Sequence, residues 1–193
     1  MKKTNGWDSA HPSPPPPVLI LGLGNLLLSD DGVGPAILAE LRRTYGNDDG
    51  CVEFLDGGTQ GLNLLGCLGG RQALIILDAL QLGKGPGTVS VLRSHEAQEL
   101  PARRSTTAHE GNAGELLAAA ALLGELPQQV FVVGVEPERL STGLGLSEPV
   151  QAAVPQAAAR AQQLIAEFCR VANGSLFCNE FAQGHGRYAR NSL

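Results

Sequence analysis

The sequence lacks the features of several large classes of protein. Its apolar run from Val18 ends after eleven residues, which is too short to cross a bilayer. Lys2 and Lys3 resemble the start of a signal peptide, but a proline run follows them and no cleavage site precedes the first acids. With 14 Lys and Arg against 19 Asp and Glu, the net charge is −5, whereas a nucleic-acid surface needs clustered basic side chains. We therefore expect no membrane and no nucleic-acid partner.

Cysteine is scarce, and its spacing follows no metal or redox motif. The 4 cysteines contain no C-x-x-C pair and no zinc-ribbon spacing. Reduced thiols in a cytoplasmic protein are the default expectation for such a pattern, with Cys51 and Cys67 packed in the core.

What is present is typical of one globular domain with loose ends. Hydrophobic residues make up 43% and charged residues 17% of the 193 residues, which is ordinary for a folded protein. The proline-rich residues 1–17 predict a disordered extension. Residues 18–172 predict a compact domain, and residues 173–193, which show no sustained periodicity, predict a loosely ordered tail.

Strand and helix patterns alternate within the compact region. Continuous apolar runs typical of strands buried on both faces alternate with amphipathic helical patterns. This order predicts an α/β fold, a three-layer α/β/α sandwich with a mostly parallel, twisted central sheet. Strands are predicted at residues 18–23, 51–55, 73–77, 88–92 and 130–135; helices are predicted at 32–45, 60–68 and 113–123, with a last helix that ends near residue 170 and has Pro155 in its first turn.

Acidic residues follow three of the predicted strands. In open α/β sheets the functional site lies outside the carboxyl ends of the strands. Asp30, Asp31, Asp56 and Asp78 should therefore share one edge, although any one of them is equally suited to capping a helix. With His109, two carboxylates would form an open set of ligands for zinc, nickel or iron. The residues alone indicate a metal-dependent hydrolase and identify neither its metal nor its substrate.

Several nucleotide and hydrolase motifs are incomplete. Gly22-Leu23-Gly24 begins a dinucleotide fingerprint, but Leu27 stands where its third glycine belongs, so we expect no bound nucleotide. His95 and His109 each begin a zinc-protease pattern that lacks the second histidine. No nucleophile elbow and no P-loop occur.

One ordered set of motifs resembles a known family. The set comprises the run GLGNLLLSDDGVG at residues 22–34, DGGT at 56–59, IILDA at 75–79, His109 before a helix, and VGVEP at 133–137. In this order the motifs resemble those of the nickel–iron hydrogenase maturation endopeptidases, and the likeness spans residues 18–168.

The resemblance implies a protease that removes a C-terminal peptide from the hydrogenase large-subunit precursor after nickel is inserted. The family's metal-contacting residues fall on Asp31, Asp78 and His109, which the resemblance makes both the catalytic and the metal-binding set. Asp31 stands where some members have the longer glutamate. The metal is then nickel carried by the precursor rather than permanently bound to the protease, which gives specificity through differential affinity.

The mechanism stays open between two chemistries. The metal can polarise a carbonyl or activate water, with one carboxylate as general base. Alternatively, Asp31 and Asp78 share a proton and activate water as an aspartic pair. The rival functions are a non-catalytic metal or nucleotide carrier, and a phosphorylase or aminopeptidase of similar topology.

Four further residues are candidates for binding the substrate strand. Asn25 can donate an amide hydrogen bond to the substrate backbone or bridge its own loop. Asp56, Gly57 and Gly58 can line the substrate groove, or they can form a tight turn in which glycine supplies a positive φ.

Overall fold

The computed structural model describes residues 16–45, 50–99 and 113–174. These residues form a five-stranded sheet of order β2-β1-β3-β5-β4. Neighbouring strands are parallel except for β4, which runs antiparallel to β5 at one edge. The predicted mostly parallel sheet is confirmed. The strands are β1 (Val18–Leu23), β2 (Val52–Gly58), β3 (Ala73–Ala79), β4 (Val89–Arg93) and β5 (Gln129–Val135).

Helices cover both faces of this sheet. Two 3-10 segments, Ser29–Gly32 and Gly61–Cys67, follow β1 and β2. The α-helices are α1 (Val33–Tyr45), α2 (Ser94–Gln98), α3 (Ala113–Leu123) and α4 (Glu148–Gly174). None of the helices in the described ranges combines the length and hydropathy needed to cross a membrane.

Successive residues of a strand pack alternately in two separate hydrophobic cores, one on each face of the sheet. In β3, Ile75 and Leu77 face one core, which they share with α1 and α4. Leu74 and Ile76 face the other core, which includes α3 and the segment Gly61–Cys67. All four side chains have no exposed surface, because successive strand residues point to opposite faces and both faces are covered. The predicted three-layer α/β/α sandwich is therefore confirmed.

Two helix predictions are wrong in detail. The helix expected at residues 60–68 is the 3-10 segment Gly61–Cys67, and no side chain caps its start. Pro155 lies in the interior of α4 rather than in its first turn, because the helix already begins at Glu148. Proline lacks the N–H for one helical hydrogen bond there, but the apolar residues around it, including Val154 and Ala157, are buried against the sheet. Tertiary packing outweighs the local penalty.

The predicted extension and tail lie mostly beyond the described residues, which begin at residue 16 and end at residue 174. The carbonyl of Pro17 accepts hydrogen bonds from the backbone N–H groups of Gln72 (2.8 Å) and Ala73 (3.1 Å), which join the residue before β1 to the start of β3. Helix α4 extends to Gly174, two residues past the predicted boundary at 172. The remainder of the predicted extension, residues 1–15, and of the predicted tail, residues 175–193, lies outside the described residues.

Cys51 and Cys169 are joined in a disulfide, so the prediction of reduced thiols is wrong for this pair. The bond links the start of β2 to α4 across 118 positions of sequence, and the two Cα atoms are 6.2 Å apart, within the usual range. No sequence pattern marks a pair so far apart. Cys67 is a free, half-buried thiol, as expected for packing, and Cys178 lies outside the described residues.

Candidate active site

The topology brings Asp31 and Asp78 to one edge of the sheet. Asp31 lies in the 3-10 segment Ser29–Gly32 that follows β1, and Asp78 is the next-to-last residue of β3. Strands β1 and β3 are parallel neighbours, with Gly22 paired to Leu77, so their carboxyl ends meet. Both acids are buried, with 5% and 6% of their surface exposed. The two carboxyl groups are therefore shielded from water, and the charge of one acts on the other.

Asp78 is held by backbone donors and is hard to ionise. Its Oδ1 accepts a hydrogen bond from the N–H of Ala79 (2.8 Å), and its Oδ2 accepts one from the N–H of Ala113 (3.2 Å) at the start of α3. Burial raises the pKa of Asp78 to about 7, and the negative charge of Asp31 adds to that rise, although the two hydrogen bonds act in the opposite direction. Near neutral pH the carboxyl is therefore divided between its protonated and charged forms.

Asp31 is anchored by its own loop. Its Oδ2 accepts a hydrogen bond from the backbone N–H of Asn25 at 2.7 Å. Because Asp31 contributes to the raised pKa of Asp78, the two carboxyls interact electrostatically. A pair in which one member readily holds a proton beside a second acid is suited to proton transfer or to cation binding.

Asp30, the neighbouring acid, is part of the scaffold. It is fully buried, and its carboxylate accepts four hydrogen bonds: from the backbone N–H groups of Glu138 (2.9 Å), Arg139 (2.9 Å) and Ser147 (2.6 Å), and from the Ser147 hydroxyl (2.8 Å). Burial alone would raise the pKa of Asp30, but these donors hold it below its usual value. Asp30 therefore fixes the loop between β5 and α4 against the segment that carries Asp31.

Removing the Asp30 carboxylate should destabilise the fold. We expect Asp30→Ala to lower the free energy of unfolding by about 3 kcal/mol or more, because several buried donors lose their acceptor. Asp56 is the matched control: it is exposed, and its Oδ1 accepts one hydrogen bond, from the Gly58 N–H at 3.1 Å. Asp56→Ala should cost less than about 1 kcal/mol. Urea unfolding measures both, and equal losses would contradict the assigned role of Asp30.

The same two loops are joined by further hydrogen bonds. The Ser29 N–H donates to the carbonyl of Gly143 (2.9 Å), and the Gly143 N–H donates to the carbonyl of Leu27 (3.0 Å). The Ser29 hydroxyl donates to the carbonyl of Ser141 (3.1 Å). Ser29 adopts a left-handed backbone with φ of 52°, which is uncommon for a residue other than glycine and is held here by these contacts. The loop that carries Asp31 is thus rigidly supported.

The four predicted substrate-binding residues have local structural roles. The Asn25 Oδ1 accepts a hydrogen bond from the N–H of Leu27 (2.9 Å), which closes a turn. Gly58 has a φ of 47°, and a side chain at Gly57 would come within 2.9 Å of leucines on β1 and on the segment Gly61–Cys67, so glycine is required at both positions. Asp56 accepts the bond from Gly58 described above. Contact of these residues with substrate stays a prediction.

His109 lies outside the described residues, so the predicted set of Asp31, Asp78 and His109 is only partly placed. Four positions after His109 in the sequence, Ala113 begins α3 and donates its N–H to Asp78. Within the described ranges, no group of three or more His, Cys, Asp or Glu side chains is arranged to hold a metal ion.

Glu136 is a buried acid at the same edge that the sequence interpretation did not treat separately. It follows β5 directly, and its carboxylate accepts hydrogen bonds from the N–H groups of Leu82 (2.8 Å) and Gly83 (3.2 Å). It thereby supports the loop that leaves β3 just after Asp78. Glu136 directly follows the last residue of β5, so its place in the sequence marks it in the same way as the acids that follow the other strands.

Comparison with known proteins supports one family. The profile of the hydrogenase maturation protease family matches residues 35–164. The hydrogenase 2 maturation protease of Escherichia coli is 39% identical over 141 residues, which is 72% of this chain and 85% of that protein. The hydrogenase expression/formation protein HoxM of Azotobacter vinelandii is 37% identical over 153 residues, covering 79% and 73%.

A solved structure agrees with both the sequence match and the fold. The hydrogenase maturating endopeptidase HybD from Escherichia coli superposes with a TM-score of 0.69 at 37% identity, covering 78% of this chain and 92% of that one. The family model accounts for well over half of the chain, and the relatives exceed 30% identity across most of their length. The chain therefore belongs to the hydrogenase maturation protease family and is a peptide hydrolase.

Proposed function

We propose that this protein is an endopeptidase that removes the C-terminal extension of a nickel–iron hydrogenase large-subunit precursor after nickel has been inserted. Membership of the maturation protease family supports the class of substrate. The observation that carries the proposal is the buried pair of Asp31 and Asp78 at the carboxyl edge of the sheet, where the pKa of Asp78 is raised to about 7. An acid with this pKa can both accept and return a proton near neutral pH.

Nickel on the precursor is the recognition signal in this proposal. Asp31, Asp78 and His109 would supply two carboxylate oxygens and one imidazole nitrogen. This donor set suits a divalent transition metal and leaves coordination positions open for ligands from the precursor. The buried Asp78 is held towards its neutral form, and a cation brought by the precursor would favour the charged form. A precursor without nickel lacks this interaction and binds less well.

Two routes to hydrolysis are compatible with this placement. In the first, Asp31, Asp78 and His109 would bind the nickel and so bring the scissile peptide bond close to it. The metal would then polarise the carbonyl or activate water, or one carboxylate would accept a proton from the attacking water. In the second, the two acids share one proton and activate water without help from the metal. We favour the first, because it makes cleavage depend on completed nickel insertion. The cytoplasmic location predicted from the sequence is part of the same proposal.

Incubation with precursor large subunit tests the function directly. Purified protein is mixed with nickel-loaded and nickel-free precursor, and the products are measured by mass spectrometry. We expect one released C-terminal peptide from the loaded precursor and none from the nickel-free form. Cleavage of both forms would show that nickel is not the recognition signal.

The rival functions give different outcomes in the same assay. Tight binding of nickel or of a nucleotide without cleavage of the loaded precursor would indicate a non-catalytic carrier. Cleavage of small free peptides would indicate an aminopeptidase, and turnover of nucleosides a phosphorylase. A maturation protease should act on neither peptides nor nucleosides, since its binding energy comes from contacts with the precursor protein.

A further inference from the structure

Three strongly exposed leucines lie on the two joined loops beside the acid pair. Leu26 and Leu27 follow β1 and are 60% and 61% exposed, and Leu144, in the loop between β5 and α4, is 80% exposed. We refer to these three residues as the leucine rim. Large apolar side chains are common on protein surfaces one at a time, but a group of them at the edge of a site indicates a binding surface.

Backbone contacts join the two loops that carry the leucine rim. Leu28 and Gly143 form an isolated parallel β-bridge, and the N–H of Gly143 donates to the carbonyl of Leu27. Leu27 is therefore hydrogen-bonded to the residue directly before Leu144. The rim is presented by backbone that is fixed by hydrogen bonds and by the Asp30 carboxylate, so binding to it would cost little ordering of the protease.

The leucine rim begins next to the acid pair. A side chain built on Gly32 would come within 3.2 Å of the Leu26 Cδ2 atom, so Leu26 lies over the residue that directly follows Asp31. Leu26 therefore lies against the 3-10 segment that carries Asp31. Apolar area lies here beside two buried acids, an arrangement that suits a partner with a reacting polar group and apolar neighbours.

We propose that Leu26, Leu27 and Leu144 bind apolar side chains of the precursor polypeptide next to the bond that is cut. This inference rests on the proposed function, because it takes the precursor as the chain that reaches the acid pair. In this arrangement the acids act on the reacting segment while the rim contributes affinity for the polypeptide. The rim should then affect binding of the precursor and leave the chemical step unchanged.

Serine substitutions separate this role from a general effect on folding. We expect Leu27→Ser and Leu144→Ser each to raise KM for nickel-loaded precursor about tenfold, which corresponds to losing the burial of part of one leucine side chain. The double variant should raise KM further, and kcat should stay within about twofold in all three. Because both side chains are already exposed, the variants should keep their thermal stability.

Helix α3 offers matched controls at the other edge of the sheet. Leu122 and Leu123 are the last two residues of α3 and are 88% and 63% exposed. They precede the start of β5 at Gln129. Leu122→Ser and Leu123→Ser make the same chemical change at similar exposure and should leave KM and kcat as in the wild type. A rise in KM for these variants equal to that of the rim variants would overturn the assignment to the rim.

A binding measurement distinguishes failure of this inference from failure of the proposed function. The affinity of immobilised wild-type and rim variants for nickel-loaded precursor is measured together with cleavage. If the wild type binds the precursor without cutting it, the proposed function is wrong, and the rim is still tested by affinity. If the rim variants bind and cut like the wild type, the inference is wrong while the function stands. If the rim variants differ from the wild type in sedimentation coefficient but not in affinity for the precursor, the rim binds a second copy of this chain. That result would also overturn the inference.

Discussion

Asp78→Asn is expected to reduce the rate of precursor cleavage by about a thousandfold or more, because a group that must exchange a proton or bear a charge next to the reacting bond becomes neutral and unreactive. The substitution nearly preserves volume at a position that is only 6% exposed. The amide oxygen can keep one of the two backbone hydrogen bonds, from Ala79 or from Ala113. The measurement is the amount of released peptide per unit time under single-turnover conditions.

The stability of this variant provides an internal check on the raised pKa. In the wild type the pKa of Asp78 rises from 3.8 in the unfolded chain to about 7 in the fold. The protonated form is therefore favoured by folding, and this contribution is complete below about pH 4 and is lost as the pH rises through about 7. Relative to Asp78→Asn, the wild type should lose up to about 4 kcal/mol of unfolding free energy over that interval.

Two results would contradict the role of Asp78. If the asparagine variant cuts the precursor at the wild-type rate, Asp78 takes no part in the reaction. If the difference in stability between wild type and variant does not change between pH 4 and pH 8, the carboxyl is not held in its neutral form by burial. Asp56→Asn is the control for the stability measurement, since Asp56 is exposed at the end of β2.

His109→Ala is expected to reduce cleavage of nickel-loaded precursor by about a hundredfold, because removing a metal ligand costs at least as much as the 10–100-fold typical of residues that only orient ligands. Its effect should appear largely as weaker binding of the loaded precursor. The nickel-free precursor, which makes no metal contact, should bind the variant and the wild type alike. Affinity for both precursor forms and the cleavage rate together check this result.

The same variant decides between the two chemistries. If His109→Ala cuts at the wild-type rate while Asp78→Asn is inactive, the reaction is that of an aspartic pair and the metal-docking route is wrong. His95→Ala is the matched control, because the His95 side chain is 87% exposed on α2 and lies 3.5 Å from Glu99. It should behave as the wild type in binding and in cleavage.

The fold was largely predictable because the strongest patterns are local. The predicted bounds of β1 and α3 coincide with the structure, since an uninterrupted apolar run and an alanine-leucine helix each carry their own signal. Pro155 shows the limit of such reasoning. Its local penalty is real, but burial of the same helix face against the sheet outweighs it, and packing is not visible in a window of sequence.

The location of the candidate site was predictable, and the family resemblance pointed to Asp31 rather than Asp30, but the residues alone do not show why the two acids differ. Asp30 and Asp31 are adjacent acids that follow the same strand, and their pattern in the sequence is the same. They differ because Asp30 receives donors from residues 108–117 positions further along the chain, whereas Asp31 receives one from its own loop. Glu136 likewise gained its role from Leu82 and Gly83, which only the fold brings near it.

The sequence by itself determined the alternation of strands and helices, the edge at which the acids gather, and the family to which the chain belongs. These follow from hydrophobic periodicity and from ordered motifs, which are properties of neighbouring positions. Tertiary structure alone decided that Asp30 is a support, that burial raises the pKa of Asp78, and that Cys51 is bonded to Cys169. Burial, hydrogen-bond partners and cross-links depend on which distant residues come together, and spacing along the chain does not encode that.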